Sequence, residues 1–74
     1  MKNNLRKLRE QAGFSRRALA EASGSTARSI QAWEYETRDL ALASYISIIK
    51  IATALGCRPE DLFKEEGTEN ELPW

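Results

Sequence analysis

The sequence has no histidine and a single cysteine, Cys57, among its 74 residues. Without histidine, neither a Ser–His nor a Cys–His nucleophilic pair can be built. One cysteine alone falls short of the ligand cluster a zinc site needs. Nor can it close an internal disulfide, so packing must hold the fold. Arg58 stands beside Cys57 and could lower its pKa, but no partner base or resolving thiol accompanies it, and a packed thiol is the plain reading. Glu60 and Asp61 are adjacent on a helix and do not face one another as an acid–base pair. The expectation is therefore no enzyme, no cofactor and no metal. No apolar run approaches the roughly 20 residues of a membrane helix. Met1-Lys2-Asn3-Asn4 leads straight into a charged segment, unlike a signal peptide. The expected setting is cytoplasmic and reduced, with no membrane partner.

Net charge is absent too, with eleven basic and eleven acidic residues. Their distribution is uneven. Residues 1–38 carry eight basic side chains against four acidic, or +4, and residues 39–74 carry three against seven, or −4. Such asymmetry hints at a polyanionic partner more strongly than the total does. The acidic half tempers non-specific binding, because affinity scales with the phosphates neutralised. Hydrophobic residues at 42% suffice for one small core, and 30% charged residues suit a wet surface.

The chain is organised around residues 14–34, FSRRALAEASGSTARSIQAWE. Ser15 precedes a run of helix formers containing Leu19, Ala20 and Ala22, and its hydroxyl can accept an orphan N–H two or three residues on. Ser23-Gly24 ends that run, since glycine enters the left-handed region without steric cost. Thr26 offers a second N-cap to a helix over Ala27–Glu34. Ile30 and Trp33 lie three apart and share its buried face. Two short helices about a glycine turn, the second with a polar outer face, form the helix-turn-helix pattern that reads DNA.

Around this pair the spacing predicts three more helices. Asn3 or Asn4 caps the first, which runs to about residue 12 with Leu5, Leu8 and Ala12 inward and Arg6, Lys7, Arg9 and Glu10 on the wet side. Gly13 ends it, and Phe14 plugs the junction. Glu34 and Glu36 sit near the negative end of the third helix, where cations are preferred, so either the helix frays there or the acids have partners elsewhere in the fold. Leu40 and Leu42 are expected to fold the following loop onto the core. Ser44 caps a fourth helix, Tyr45–Leu55, with Tyr45, Ile48, Ile49, Ala52 and Leu55 on one face and Ile46 and Ile51 widening it. Gly56 stops it. Pro59, Glu60 and Asp61 suit the start of a short fifth helix reaching about residue 64, closed by Leu62 and Phe63. Residues 65–74 are expected to form an acidic, flexible tail beyond a domain of residues 1–64. Its apolar tip, Leu72-Pro73-Trp74, reads as a frayed end or a docking point.

The ordered pieces LRKLREQAGFSRRALAEASG, STARSIQAWE and IIKIATALGCRPEDLF together resemble the Cro and phage-repressor type of DNA-binding domain, the XRE family. The resemblance covers residues 5–63, nearly the whole chain. It implies an all-α, compact five-helix bundle of the lambda-repressor-like class, with the second and third helices as the reader. The chain departs from the pattern at Glu36, where the longer-looped branch tends to have glycine, and at Arg16, where many members have glutamine.

With the third helix in the major groove, the positions that avoid the Ile30–Trp33 face are Ala27, Arg28, Gln31 and Ala32. Arginine can hold guanine O6 and N7 with two hydrogen bonds, glutamine can do the same with adenine, and alanine methyls can pack on thymine. The alternative for Arg28 is a solvated surface arginine. Arg16 and Arg17 oppose the dipole of the second helix, which a phosphate there would reverse; the alternative is two side chains snorkelling into water. Ser15, Thr26 and Ser29 can add neutral phosphate contacts, although capping explains the first two, and Arg38 is a further candidate. Trp33 belongs to the core rather than to a stacking platform.

The expected function is sequence-specific double-stranded DNA binding by a transcriptional repressor, as a homodimer on a palindromic operator. By resemblance, the dimer surface lies around residues 57–63. The rival is an antitoxin-like or anti-repressor module that keeps the fold, binds a protein partner and holds DNA weakly. The zero net charge supports it.

Overall fold

Three serine and threonine hydroxyls start three of the helices. Ser15 accepts from Ala18 N and opens a helix over Arg16–Ser23; Thr26 accepts from Ser29 N and opens Ala27–Glu34; Ser44 accepts from Ser47 N and opens Tyr45–Leu55. With an earlier helix over Leu5–Gln11, these are α1 to α4 in chain order. The structure, a computed structural model, describes residues 2–63; the tail expected to be flexible, with Leu72-Pro73-Trp74, lies outside the described residues. At the head of α1 the expected cap is shared. Asn3 Oδ1 accepts from Leu5 N at 3.0 Å, while Asn4 turns its side chain to the carbonyl of Asp61.

Gly24 ends α2 at φ 71°, and its N–H and that of Ser25 both return to Ala20 O. That turn brings α3 against α2, and α4 packs against α2 as well. Leu5, Leu19, Ala20, Ile30, Trp33, Leu40, Ile51, Ala52 and Leu62 form the core, with Leu8, Phe14, Ile48, Leu55 and Phe63 packed against it.

Several expectations need correction. Among the described residues there are four α-helices rather than five. The fifth element, Pro59–Leu62, is a 3-10 turn whose bonds run i to i+3, Asp61 N to Arg58 O and Phe63 N to Glu60 O. Four residues wound this tightly still drive Leu62 wholly into the core. A second 3-10 turn, Leu40–Leu42, buries Leu40 but leaves Leu42 84% exposed. With three residues per turn, positions two apart diverge, and only one leucine can face inward. In α4 the buried stripe is Ile48, Ile51, Ala52 and Leu55, at i, i+3, i+4 and i+7. Tyr45 and Ile46, in its first turn, are exposed. Ala12 and Ala22 are exposed as well. On α1 the inward stripe is Leu5, Leu8 and Arg9, so Arg9 lies within the fold rather than on the wet side.

Candidate nucleic-acid interface

Helix α3 presents two unlike faces. Ile30 and Trp33 are buried, while Ala27, Arg28 and Gln31 are exposed and Ala32 is half-buried. All four residues expected at base edges thus lie off the core face. Arg28 forms no hydrogen bond or ion pair with any described residue, so its guanidinium is available to a ligand.

The end of α3 answers the question of its two acids. Glu34, whose carboxylate is fully buried, accepts from Arg9 Nε and Nη2 on one side and from Arg16 Nε, at 3.0 Å, on the other. Arg9 also donates Nη1 to Phe14 O at 2.8 Å. One carboxylate therefore ties α1, the start of α2 and the end of α3 together, and offsets the unfavourable sign of a carboxylate at a helix C-terminus. Arg16 donates further to the Tyr35 hydroxyl at 3.2 Å. The hydrogen bond to Glu34 raises the Arg16 pKa above its already high ordinary value, so its charge is permanent. Sequence reasoning missed Arg9 and Glu34 as a pair. The signal was an acid at the wrong end of a helix, which demands a cation from elsewhere.

Glu36 takes the left-handed conformation at φ 61°. This is where the longer-looped branch tends to have glycine. The chain keeps the same turn with a side chain that strains it. Exit bonds from Tyr35 N, Glu36 N and Arg38 N to the carbonyls of Gln31, Trp33 and Ala32 finish the helix.

Besides Arg16, held by Glu34 and Tyr35, the expected phosphate residues fall into three groups. Ser15 and Thr26 spend their lone pairs on capping. Arg17 meets Glu21 one turn on, at 3.4 Å, with both side chains largely exposed; such a pair contributes little and opens readily. Ser29 and Arg38 are joined: Arg38 Nη1 donates to Ser29 Oγ at 3.1 Å, and its guanidinium lies 5.3 Å from the centre of the Trp33 ring. Ser29 also takes a bond from Thr26 Oγ1, which leaves its own proton free to point outward.

Away from this face, Cys57 is half-buried, and burial raises its pKa, with the charge of Asp61 adding to the rise. Any lowering by the neighbouring Arg58 does not overcome that rise, and Cys57 packs against the core. No helix of the described residues is long and apolar enough to cross a membrane.

Two helices in this relation, with a buried face and an exposed arginine on the outer face of the second, define a helix-turn-helix DNA-binding domain. The helix-turn-helix family model matches residues 5–62. The chain belongs to that family, of the XRE, Cro and lambda-repressor type, whose members are DNA-binding transcription regulators acting on double-stranded DNA. No curated protein matches it.

Proposed function

We propose that this protein is a repressor that binds a palindromic operator as a homodimer, with α3 of each copy in the major groove of one half-site. The observation that supports this most is Arg28. It stands exposed on the outer face of α3, one turn before Gln31, and has no partner among the described residues. In that pose Arg28 holds a guanine, Gln31 holds an adenine, and Ala27 and Ala32 meet thymine methyls. Arg16, Arg17 and Arg38 take phosphates, with the hydroxyls of Ser15 and Ser29 adding neutral contacts, while Thr26, a candidate from the sequence, has its proton engaged by Ser29 Oγ. One such domain makes few base contacts. Two copies on half-sites about 34–36 Å apart supply the rest, and the segment of residues 57–63 is the proposed contact between them. The assignment of residues 1–64 as the binding domain, with an acidic tail after it, belongs to the same proposal, as does a cytoplasmic setting.

Selection from a random duplex library at about 0.1 M salt, where exposed charges are screened beyond roughly 10 Å, tests the reading. Enrichment of a palindrome whose guanine preference weakens with Arg28→Ala supports a dimeric reader. Recovery of no sequence, with only salt-sensitive background, refutes it. A second reading is a protein-interaction module with weak DNA binding. It is favoured by Leu42, Tyr45 and Ile46, which leave an apolar surface exposed at the start of α4. Charge removal through Arg16, Arg17 and Arg28 abolishes DNA binding under the first reading and leaves partner binding intact under the second.

A further inference from the structure

Tyr35 follows α3 directly and keeps a helical backbone, at φ −88° and ψ 0°. Ala32, Gln31 and Arg28 precede it by three, four and seven residues, so the four share one stripe. Tyr35 thus carries the proposed reading face one turn further, and 53% of it is exposed. An eight-residue helix is roughly 12 Å long, about the width of the major groove. If the N-terminal residues of α3 meet base edges, its last turn reaches the groove wall, which is sugar and phosphate.

The phenol is also held in one pose. Arg16 Nη2 donates to its oxygen at 3.2 Å, and the guanidinium lies 5.2 Å from the ring centre. Glu34 anchors Arg16 in turn through Nε. With one lone pair occupied by an N–H, the hydroxyl proton must point elsewhere, and no described residue accepts it. The adjacent cation polarises that O–H and strengthens it as a donor.

We propose that Tyr35 is a further DNA-backbone contact, its hydroxyl donating to a phosphate oxygen while Arg16 holds the phenol from behind. The inference rests on α3 being the major-groove reader. Tyr35→Phe is the appropriate variant, because it keeps the ring beneath Arg16 and removes only the hydroxyl. Its affinity would be measured by fluorescence anisotropy on a selected duplex and on a scrambled one. Duplexes carrying a single methylphosphonate at each backbone position in turn would follow.

The expected result is a loss of roughly threefold to tenfold, the net worth of one hydrogen bond, equal on both duplexes. The salt slope stays the same, since no cation is lost, and the melting temperature does not move. One methylphosphonate position should weaken the wild type yet add nothing to Tyr35→Phe, which is the signature of a shared contact. Unchanged affinity, or losses additive at every position, overturns the contact. A loss confined to the selected duplex places the phenol on a base and overturns it as well. If the wild type binds neither duplex, the reading of α3 falls and the contact with it. Binding that ignores Tyr35→Phe removes the contact alone.

Discussion

Replacing Glu34 by glutamine keeps the shape of the side chain, deletes its charge and turns one acceptor oxygen into an NH2 that faces arginine donors. In the native chain that charge is fully buried and faces Arg9, itself only 9% exposed, and Arg16, which is 31% exposed. The variant strands Arg9 as a buried cation whose firmest remaining bond is to Phe14 O. Breaking one side of a buried ion pair costs about 3–5 kcal/mol. The lower end applies here, because Arg16 can turn to water. A chain of this size has a total stability of roughly 4–11 kcal/mol, so about 3 kcal/mol is a large share of it. At about 4–8 °C per kcal/mol, Glu34→Gln should lower the melting temperature by roughly 12–24 °C in a circular-dichroism melt. The double variant Arg9→Met with Glu34→Leu removes both charges and should recover most of that loss, since a well-packed apolar pair is often as stable as the ion pair it replaces. A Glu34→Gln melt within about 4 °C of the wild type would refute the reasoning. So would a double variant no more stable than the single one.

Three further outcomes are expected. Leu40→Ala should cost about 2–5 kcal/mol in urea unfolding, whereas Leu42→Ala, at a position 84% exposed, should stay within about 0.5 kcal/mol of the wild type; comparable losses would place Leu42 in the core after all. Glu36→Gly should stabilise by about 0.5–1 kcal/mol, because relief of the left-handed strain exceeds the added freedom of the unfolded chain, and a destabilised variant would show that the Glu36 side chain contributes more than its backbone costs. Burial and the charge of Asp61 both favour the neutral Cys57 thiol, so alkylation by iodoacetamide should reach its half-maximal rate at higher pH in the folded protein than in the denatured one. The folded state then holds its proton where the unfolded state has lost it, and the stability from this group declines as pH rises through the folded pKa. An equal or lower midpoint in the folded protein contradicts this.

The local features were legible in the sequence for a local reason. Ser15, Thr26 and Ser44 cap a backbone N–H three residues away, and Gly24 and Gly56 end helices through their own φ. Neither depends on distant parts of the chain. The free face of α3 was legible as well, because Ile30 and Trp33 fix its rotation. The Arg9–Glu34 pair was not, since it joins residues 25 apart and periodicity along α1 cannot tell a buried arginine from a wet one. The exposure of Tyr45 was hidden differently: it lies at helical spacing with the buried stripe, three before Ile48 and seven before Ala52, but whether a helix end meets a neighbour depends on tertiary placement. The pose of the Tyr35 phenol was not legible either, since it depends on Arg16 reaching across from α2.

Asn4 joins the entry of the described fold to its exit. Its backbone N–H donates to Leu62 O at 2.7 Å and its side chain to Asp61 O at 3.1 Å. The place where the chain enters α1 and the place where it leaves the last turn are therefore neighbours. A module with adjoining ends can be spliced into a surface loop of a host protein with little distortion of either partner. It also tolerates being re-cut at one of its own loops, with the original ends bridged by a short linker. The same clasp spans 57 positions of sequence, and closing a loop of that length carries an entropic cost that grows only slowly with its length. This domain can be carried as a cassette.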